Sequence, residues 1–119
     1  MVQRIPKNIK NLRLYRTGIR EISSLSVLKN LEFLVLSGNK IEVADLNDLS
    51  ELSHLNLRNN AVEMFKIVST PKLRDLVAGN NNLSDLTSLT NLTSLTNLDL
   101  DGNRITDIGP LAELSLIHI

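Results

Sequence analysis

The stretch from Leu89 to Ile105, LTNLTSLTNLDLDGNRI, constrains the fold more than any other part of this chain. Leucine recurs every third residue at 86, 89, 92, 95 and 98, then after two at 100, and an asparagine follows at 103. An α-helix turns about 100° per residue, so a strict three-residue period drifts by about 60° per step and spreads the leucines around it. A tighter helix with three residues per turn would hold them on one face, but such helices rarely run past a single turn. The spacing therefore predicts a turn that feeds a short strand at Leu98 and Leu100.

The pattern is repeated. The template Leu-x-x-Leu-x-Leu-x-x-Asn-x-Leu fits IKNLRLYRTGI from Ile9, LEFLVLSGNKI from Leu31, LSHLNLRNNAV from Leu52, LRDLVAGNNNL from Leu73 and LTNLDLDGNRI from Leu95, with starts 22, 21, 21 and 22 residues apart. In each copy the closely spaced pair, such as Leu34 and Leu36, points inward, and the residue between, such as Val35, points outward. No single copy can bury its leucines, whereas stacked copies share one core. Asn39, Asn60, Asn81 and Asn103 are expected to stack as a ladder, because an amide both donates and accepts where the strand turns; Thr17 takes that place in the first copy.

On these segments the chain resembles leucine-rich repeat proteins over nearly its whole length. The period and the segment ITDIGPLAEL are similar to the short-repeat class, which holds bacterial internalins and the regulatory subunit of type 1 protein phosphatase. The resemblance implies an α/β solenoid of five repeats. Parallel strands line its concave face, and short helical or irregular turns form the convex side.

The connecting segments ISSLSVLKN and LSDLTSLTNLTS keep an apolar residue at every third place, but VEMFKIVSTPK does not. There Phe65 and Val68 are expected in the core, with Thr70-Pro71 breaking any helix. Ile105, Ile108, Leu111, Leu114 and Ile117 match Leu83 to Leu95 in register, and Leu116 and Ile119 stand where the preceding copy is polar. A polar C-terminal cap is missing, so a single domain spanning 1–119 and incomplete at its C-terminus is expected.

Composition narrows the setting. There is no cysteine, which removes a disulfide framework and thiolate metal sites and favours a reducing compartment, cytoplasmic or nuclear. MVQRIPKNIK has no apolar signal core, and no run approaches the roughly 20 apolar residues of a membrane span. Net charge is zero, against general nucleic-acid binding, yet residues 1–60 carry nine Lys/Arg and six Asp/Glu while residues 61–119 carry four and seven. Such a gradient can orient a partner.

No motif points to catalysis, a cofactor or a metal. His54 and His118 are too few and too far apart, Ser53 and His54 are expected to face opposite ways, and Asp99 and Asp101 read as two solvated acids on one strand face. The outward positions form three columns: Asn11, Phe33, His54, Asp75 and Asn97; Arg13, Val35, Asn56, Val77 and Asp99; Tyr15, Ser37, Arg58, Gly79 and Asp101. They change type at every step while the core positions stay leucine. Phe33 with Tyr15, Val35 and Val77 would make an apolar centre, flanked by Arg13 and Arg58 on one side and Asp75, Asp99 and Asp101 on the other. Exposed aromatic and arginine residues are the usual anchors of an interface. The expected function is a non-catalytic, monomeric scaffold that holds a protein partner on the concave sheet, as in an intracellular phosphatase regulator. The alternatives are a fragment of an internalin-like surface adhesin, or the recognition arm of a larger signalling protein.

Overall fold

The computed structural model describes residues 2–114. Its strands are β1 (Asn11–Arg13), β2 (Phe33–Val35), β3 (Val43–Asn47), β4 (His54–Asn56), β5 (Met64–Val68), β6 (Asp75–Val77) and β7 (Asn97–Asp99). One parallel sheet has the order β1-β2-β4-β6-β7, and a second pairs β3 with β5. The five-stranded sheet is the concave face of a leucine-rich repeat solenoid with one strand per repeat. Leu116, Ile117, His118 and Ile119 lie outside the described residues.

The inward positions of the five strands, Leu12, Leu34, Leu55, Leu76 and Leu98, are all buried, and with Leu36, Leu57 and Ala78 they form the inner wall of one continuous core. The asparagine ladder closes this wall. Asn81 Nδ2 donates to the carbonyls of Ala78 in its own repeat, at 2.9 Å, and Leu57 in the previous one, at 3.0 Å, while its Oδ1 accepts from Val62 N at 2.9 Å. Asn60 and Asn103 repeat the arrangement, bridging Leu57 to Leu36 and Leu100 to Ala78. Asn39 also bonds Thr17, whose hydroxyl sits 3.1 Å from its Oδ1. Each amide thus satisfies backbone groups that the end of a strand leaves behind.

The residue before the first four of these positions, and its equivalent before Asn103, is left-handed in every repeat: Arg16, Gly38, Asn59, Asn80 and Gly102 have φ between 54° and 73°. Four of the five are Gly or Asn, the residues that tolerate this region.

The three-residue leucine period becomes short 3-10 turns on the convex side at Ser23–Val27, Thr87–Leu89 and Gly109–Glu113. An acid two residues ahead caps each of them. Asp85 Oδ1 accepts from the Thr87 hydroxyl at 2.6 Å and its N–H at 2.9 Å, Asp107 accepts from Gly109 N at 2.8 Å, and Glu21 accepts from Ser23 and Ser24. The Thr87 hydroxyl, then its N–H, holds the Asp85 carboxyl below the ordinary range, and the Ser23 hydroxyl does the same for Glu21.

The second and third repeats differ. Their convex segments are strands, β3 and β5, paired from Val43↔Met64 to Asn47↔Val68. Both alternate: Ala44, Leu46, Phe65 and Ile67 are buried, and the residues between them face out or lie part-exposed. Val68, expected in the core with Phe65, is instead 51% exposed, because a strand period of two places Ile67 inward and Val68 outward. Side chains from the flanking turns bond the outer edges of this pair, Ser26 Oγ accepting from Asn47 N and Asn91 Nδ2 donating to Ile67 O, each at 3.0 Å. In the last repeat Leu111 is buried but Ile108, expected inward by register, is 65% exposed, since no further repeat packs against that side among the described residues.

Candidate functional site

The strand registers build the columns directly. Asn11, Phe33, His54, Asp75 and Asn97 are paired neighbours, as are Arg13, Val35, Asn56, Val77 and Asp99. Beyond the strand ends the ladder continues, Arg16 N donating to Ser37 O, Gly38 N to Arg58 O, Asn59 N to Gly79 O and Asn80 N to Asp101 O. This holds Tyr15, Ser37, Arg58, Gly79 and Asp101 in their expected third column.

At the centre of the first column the Phe33 and His54 rings stack, with centroids 4.1 Å apart and planes 14° from parallel. Phe33 stays 38% exposed. His54 Nε2 lies 2.5 Å from Asp75 Oδ2. A carboxylate only accepts, so this nitrogen carries the hydrogen. Asn97 Nδ2 donates to the other Asp75 oxygen. Four strands are thereby joined side chain to side chain along one row.

Ser53 and His54 do not face opposite ways. The Ser53 hydroxyl sits 2.8 Å from His54 Nδ1. The reason is the backbone at the strand entrance, where Ser53 N and His54 N both donate to Glu32 O. Two successive N–H groups aimed at one carbonyl break the alternation of the pleat. The same doubling occurs at Lys10 O, Ser53 O and Arg74 O, so Lys10, Glu32, Ser53, Arg74 and Thr96 form a fourth column that the template did not anticipate. The contiguous Ser53–His54–Asp75 trio resembles an acyl-transfer arrangement, but the N–H groups of Ser53 and His54 are spent on Glu32 and those of Arg74 and Asp75 on Ser53. With those donors committed, the trio fixes the imidazole and offers no preorganised oxyanion site at the hydroxyl.

Asp99 and Asp101 both face solvent, as expected, but they are also ion-paired. Arg58 Nη1 lies 2.8 Å from Asp101 Oδ1 and 3.3 Å from Asp99 Oδ2, and Nη2 lies 3.3 Å from Asp101 Oδ2. Arg58 and Asp101 belong to strands two apart, and Gly79 stands between them. A Cβ there would meet Arg58 Nη1 and Asp101 Oδ1 at 2.2 Å, so the missing side chain is what lets the guanidinium cross. Hydrogen bonding to Arg58 holds the Asp101 carboxyl below its ordinary range, and Asp101 raises the Arg58 guanidinium in return. Arg58 therefore belongs with the acids and not, as expected, with Arg13. Val35, Asn56 and Val77 are half-buried beside this cluster. At the opposite end, Tyr15 is 60% exposed and Arg13, among the described residues, reaches only Asn11 Oδ1, at 3.4 Å. Among the described residues no group of three or more His, Cys, Asp or Glu is placed to hold a metal ion.

Two signatures with the descriptions leucine-rich repeat and leucine-rich repeats in two copies match residues 30–52 and 71–113. The human leucine-rich repeat-containing protein 56 is 38% identical over 94 residues, covering 75% of this chain and 17% of that protein. The chain is a leucine-rich repeat protein. Among solved structures, a leucine-rich repeat protein of Leptospira interrogans superposes with a TM-score of 0.74 at 29% identity, covering 92% of this chain and 31% of that one. The Drosophila melanogaster SNF/U2A′ complex matches at 0.70 and 25% identity, over 87% of this chain and 68% of the other. An internalin from Listeria monocytogenes matches at 0.54 and 26% identity, over 86% and 37%. This leucine-rich repeat chain spans about a sixth of the human relative's length and less than a third of the Leptospira chain. No helix among the described residues is long and apolar enough to cross a membrane.

Proposed function

We propose that residues 1–119 act as one non-catalytic leucine-rich repeat domain that holds a protein partner on its concave sheet. The observation that carries this reading is the Phe33–His54 stack, exposed in mid-sheet although every neighbouring inward position is filled by leucine. A rigid aromatic pair, fixed in orientation by Asp75 and Ser53, offers a partner apolar contact at little cost in ordering. A structural neighbour found in complex with SNF supports the same use of the fold. In this reading Arg13, Tyr15, Phe33, Val35, His54 and Val77 make the contact, and Asn56, Arg58, Asp75, Asp99 and Asp101 set its polar surround. The setting is the cytoplasm or nucleus, and the role is that of a regulatory or recognition arm, as in a phosphatase regulator.

The test is affinity capture with three immobilised chains: native, Tyr15→Ala with Phe33→Ala on the concave face, and Val43→Ala with Met64→Ala on the convex face. Circular dichroism checks that all three are folded. A partner retained by the native and convex-variant chains and lost by the concave variant is the expected result. Retention by the concave variant with loss from the convex one would move the binding surface to β3 and β5.

A further inference from the structure

The concave charges are not balanced alike at the two ends. At the β7 end Asp99 and Asp101 are both drawn onto Arg58, and Asp75 is engaged by His54 and Asn97. At the β1 end neither Arg13 nor Arg16 has an ion-pair partner among the described residues, and Lys10 comes only within 3.9 Å of Glu32. The exposed Tyr15 lies between these two arginines in sequence, and the next strand presents Phe33 and Val35.

Arg16 carries a second signal. It occupies the left-handed column otherwise filled by Gly38, Asn59, Asn80 and Gly102, with φ of 57°. A long side chain is strained in that region. Its stem passes over Gly38, where a Cβ would lie 2.9 Å from Arg16 Cγ, yet its guanidinium meets no acid among the described residues. Strain held without an internal electrostatic partner points to an external one.

We infer that the β1–β2 end of the concave sheet binds an acidic peptide segment of the partner protein. Its carboxylates pair with Arg13 and Arg16, and a nearby apolar side chain packs on Phe33 and Val35 beside Tyr15. The inference rests on the concave reading above and names the chemistry of its partner. Guanidinium groups take carboxylates in a two-pronged geometry. Adjacent strands lie about 4.8 Å apart and an extended peptide advances about 3.3 Å per residue, so acid and anchor fall one to three residues apart. Single-stranded nucleic acid also suits arginine and aromatic rings. Its charge, however, recurs at every nucleotide and would be carried along the groove onto Asp75, Asp99 and Asp101, whereas a peptide can confine its acids to one end.

The experiment is an amide chemical-shift titration of the isotope-labelled chain with three probes. One is a pool of octapeptides, each with two acidic residues and one Leu or Phe one to three positions away. The second is the same pool with lysine in place of the acids, and the third is oligouridylate. Each is taken to about 1 mM, the weak limit of useful recognition. The acidic pool is expected to shift the amides of residues 13–16 and 33–35. Arg13→Glu and Arg16→Gly should each weaken its binding by about tenfold or more. Arg16→Gly relieves the strained backbone, so its transition midpoint should not fall, and lost binding there cannot be lost folding. Shifts on the concave amides from the lysine pool or oligouridylate, with the acidic pool silent, would overturn the acidic partner and leave the concave reading in place. Acidic-pool shifts confined to residues 43–47 and 64–68 would overturn both. Silence from all three overturns this inference alone, since the capture experiment decides the concave reading separately.

Discussion

A single amide shows how local chemistry holds this solenoid. Asn81 is buried and makes four main-chain hydrogen bonds across two repeats. Asn81→Ala leaves the Val62 N–H without its partner and takes one of two amide donors from each of the Leu57 and Ala78 carbonyls, which keep Asn60 and Asn103, and should cost about 1–3 kcal/mol in urea unfolding. The carboxylates make a different prediction. Asp101, Asp85 and Glu21 all have folded-state pKa values held below their ordinary ones. A depressed carboxyl contributes stability that is present above its unfolded pKa, near 4, and lost as the pH falls through the folded value. The unfolding midpoint should therefore be level above about pH 5 and decline progressively below about pH 4. The Asp101→Asn variant should show a smaller acid decline, read by thermal unfolding at a series of pH values.

At the scale of the element, the convex strands are where local pattern and repeat template disagree. Residues 43–47 and 64–68 alternate with period two, and the alternation overrides the three-residue period of the other repeats. Ile67→Ala, which opens a cavity under β5, should destabilise the fold by about 2–4 kcal/mol. Val68→Ala, on the exposed face, should stay within about 0.5 kcal/mol. Chevron or equilibrium denaturation of the two variants separates a strand from a turn at this place, because a turn would give the reverse order. The end of β5 holds a further anomaly. Thr70 is buried and its hydroxyl has no hydrogen-bond partner among the described residues. Thr70→Val keeps the shape and removes the unsatisfied group, so a gain of about 1 kcal/mol is expected in the same assay.

For the whole molecule, stability is close to a sum over repeats and their interfaces. The middle is enclosed on both sides: Leu34, Leu36, Leu55 and Leu57 are fully buried, whereas Leu12 is less so and Leu14 only partly. Amide exchange should follow this gradient. The amide of Leu57, which bonds Val77 O, is expected to exchange at the global unfolding rate, and that of Leu14, which bonds Val35 O, through easier local opening. Equal protection at the two positions would mean a solenoid that opens only as one unit. The basic end proposed to receive an acidic peptide lies on this less protected first strand, so binding there should raise the protection of Leu14 as well.

The sequence by itself determined the repeat and its register. Leucines two apart could only face inward from a strand, the 21–22 residue period set those strands side by side, and the asparagines fell where the chain turns. The three outward columns followed, because side chains on aligned parallel strands must line up. What the outward residues do to one another was decided by tertiary structure. Arg58 and Asp101 are 43 residues apart, and their pairing depends on Gly79 leaving a gap between their strands. The contact of Ser53 with His54 depends on two N–H groups sharing one carbonyl of the preceding repeat. β3 and β5 needed each other as ladder partners before their alternation could outweigh the turn pattern. Inward positions answer to water and to local geometry, which a single repeat already specifies. Outward positions answer to their neighbours across the sheet, and those neighbours exist only once the repeats have stacked.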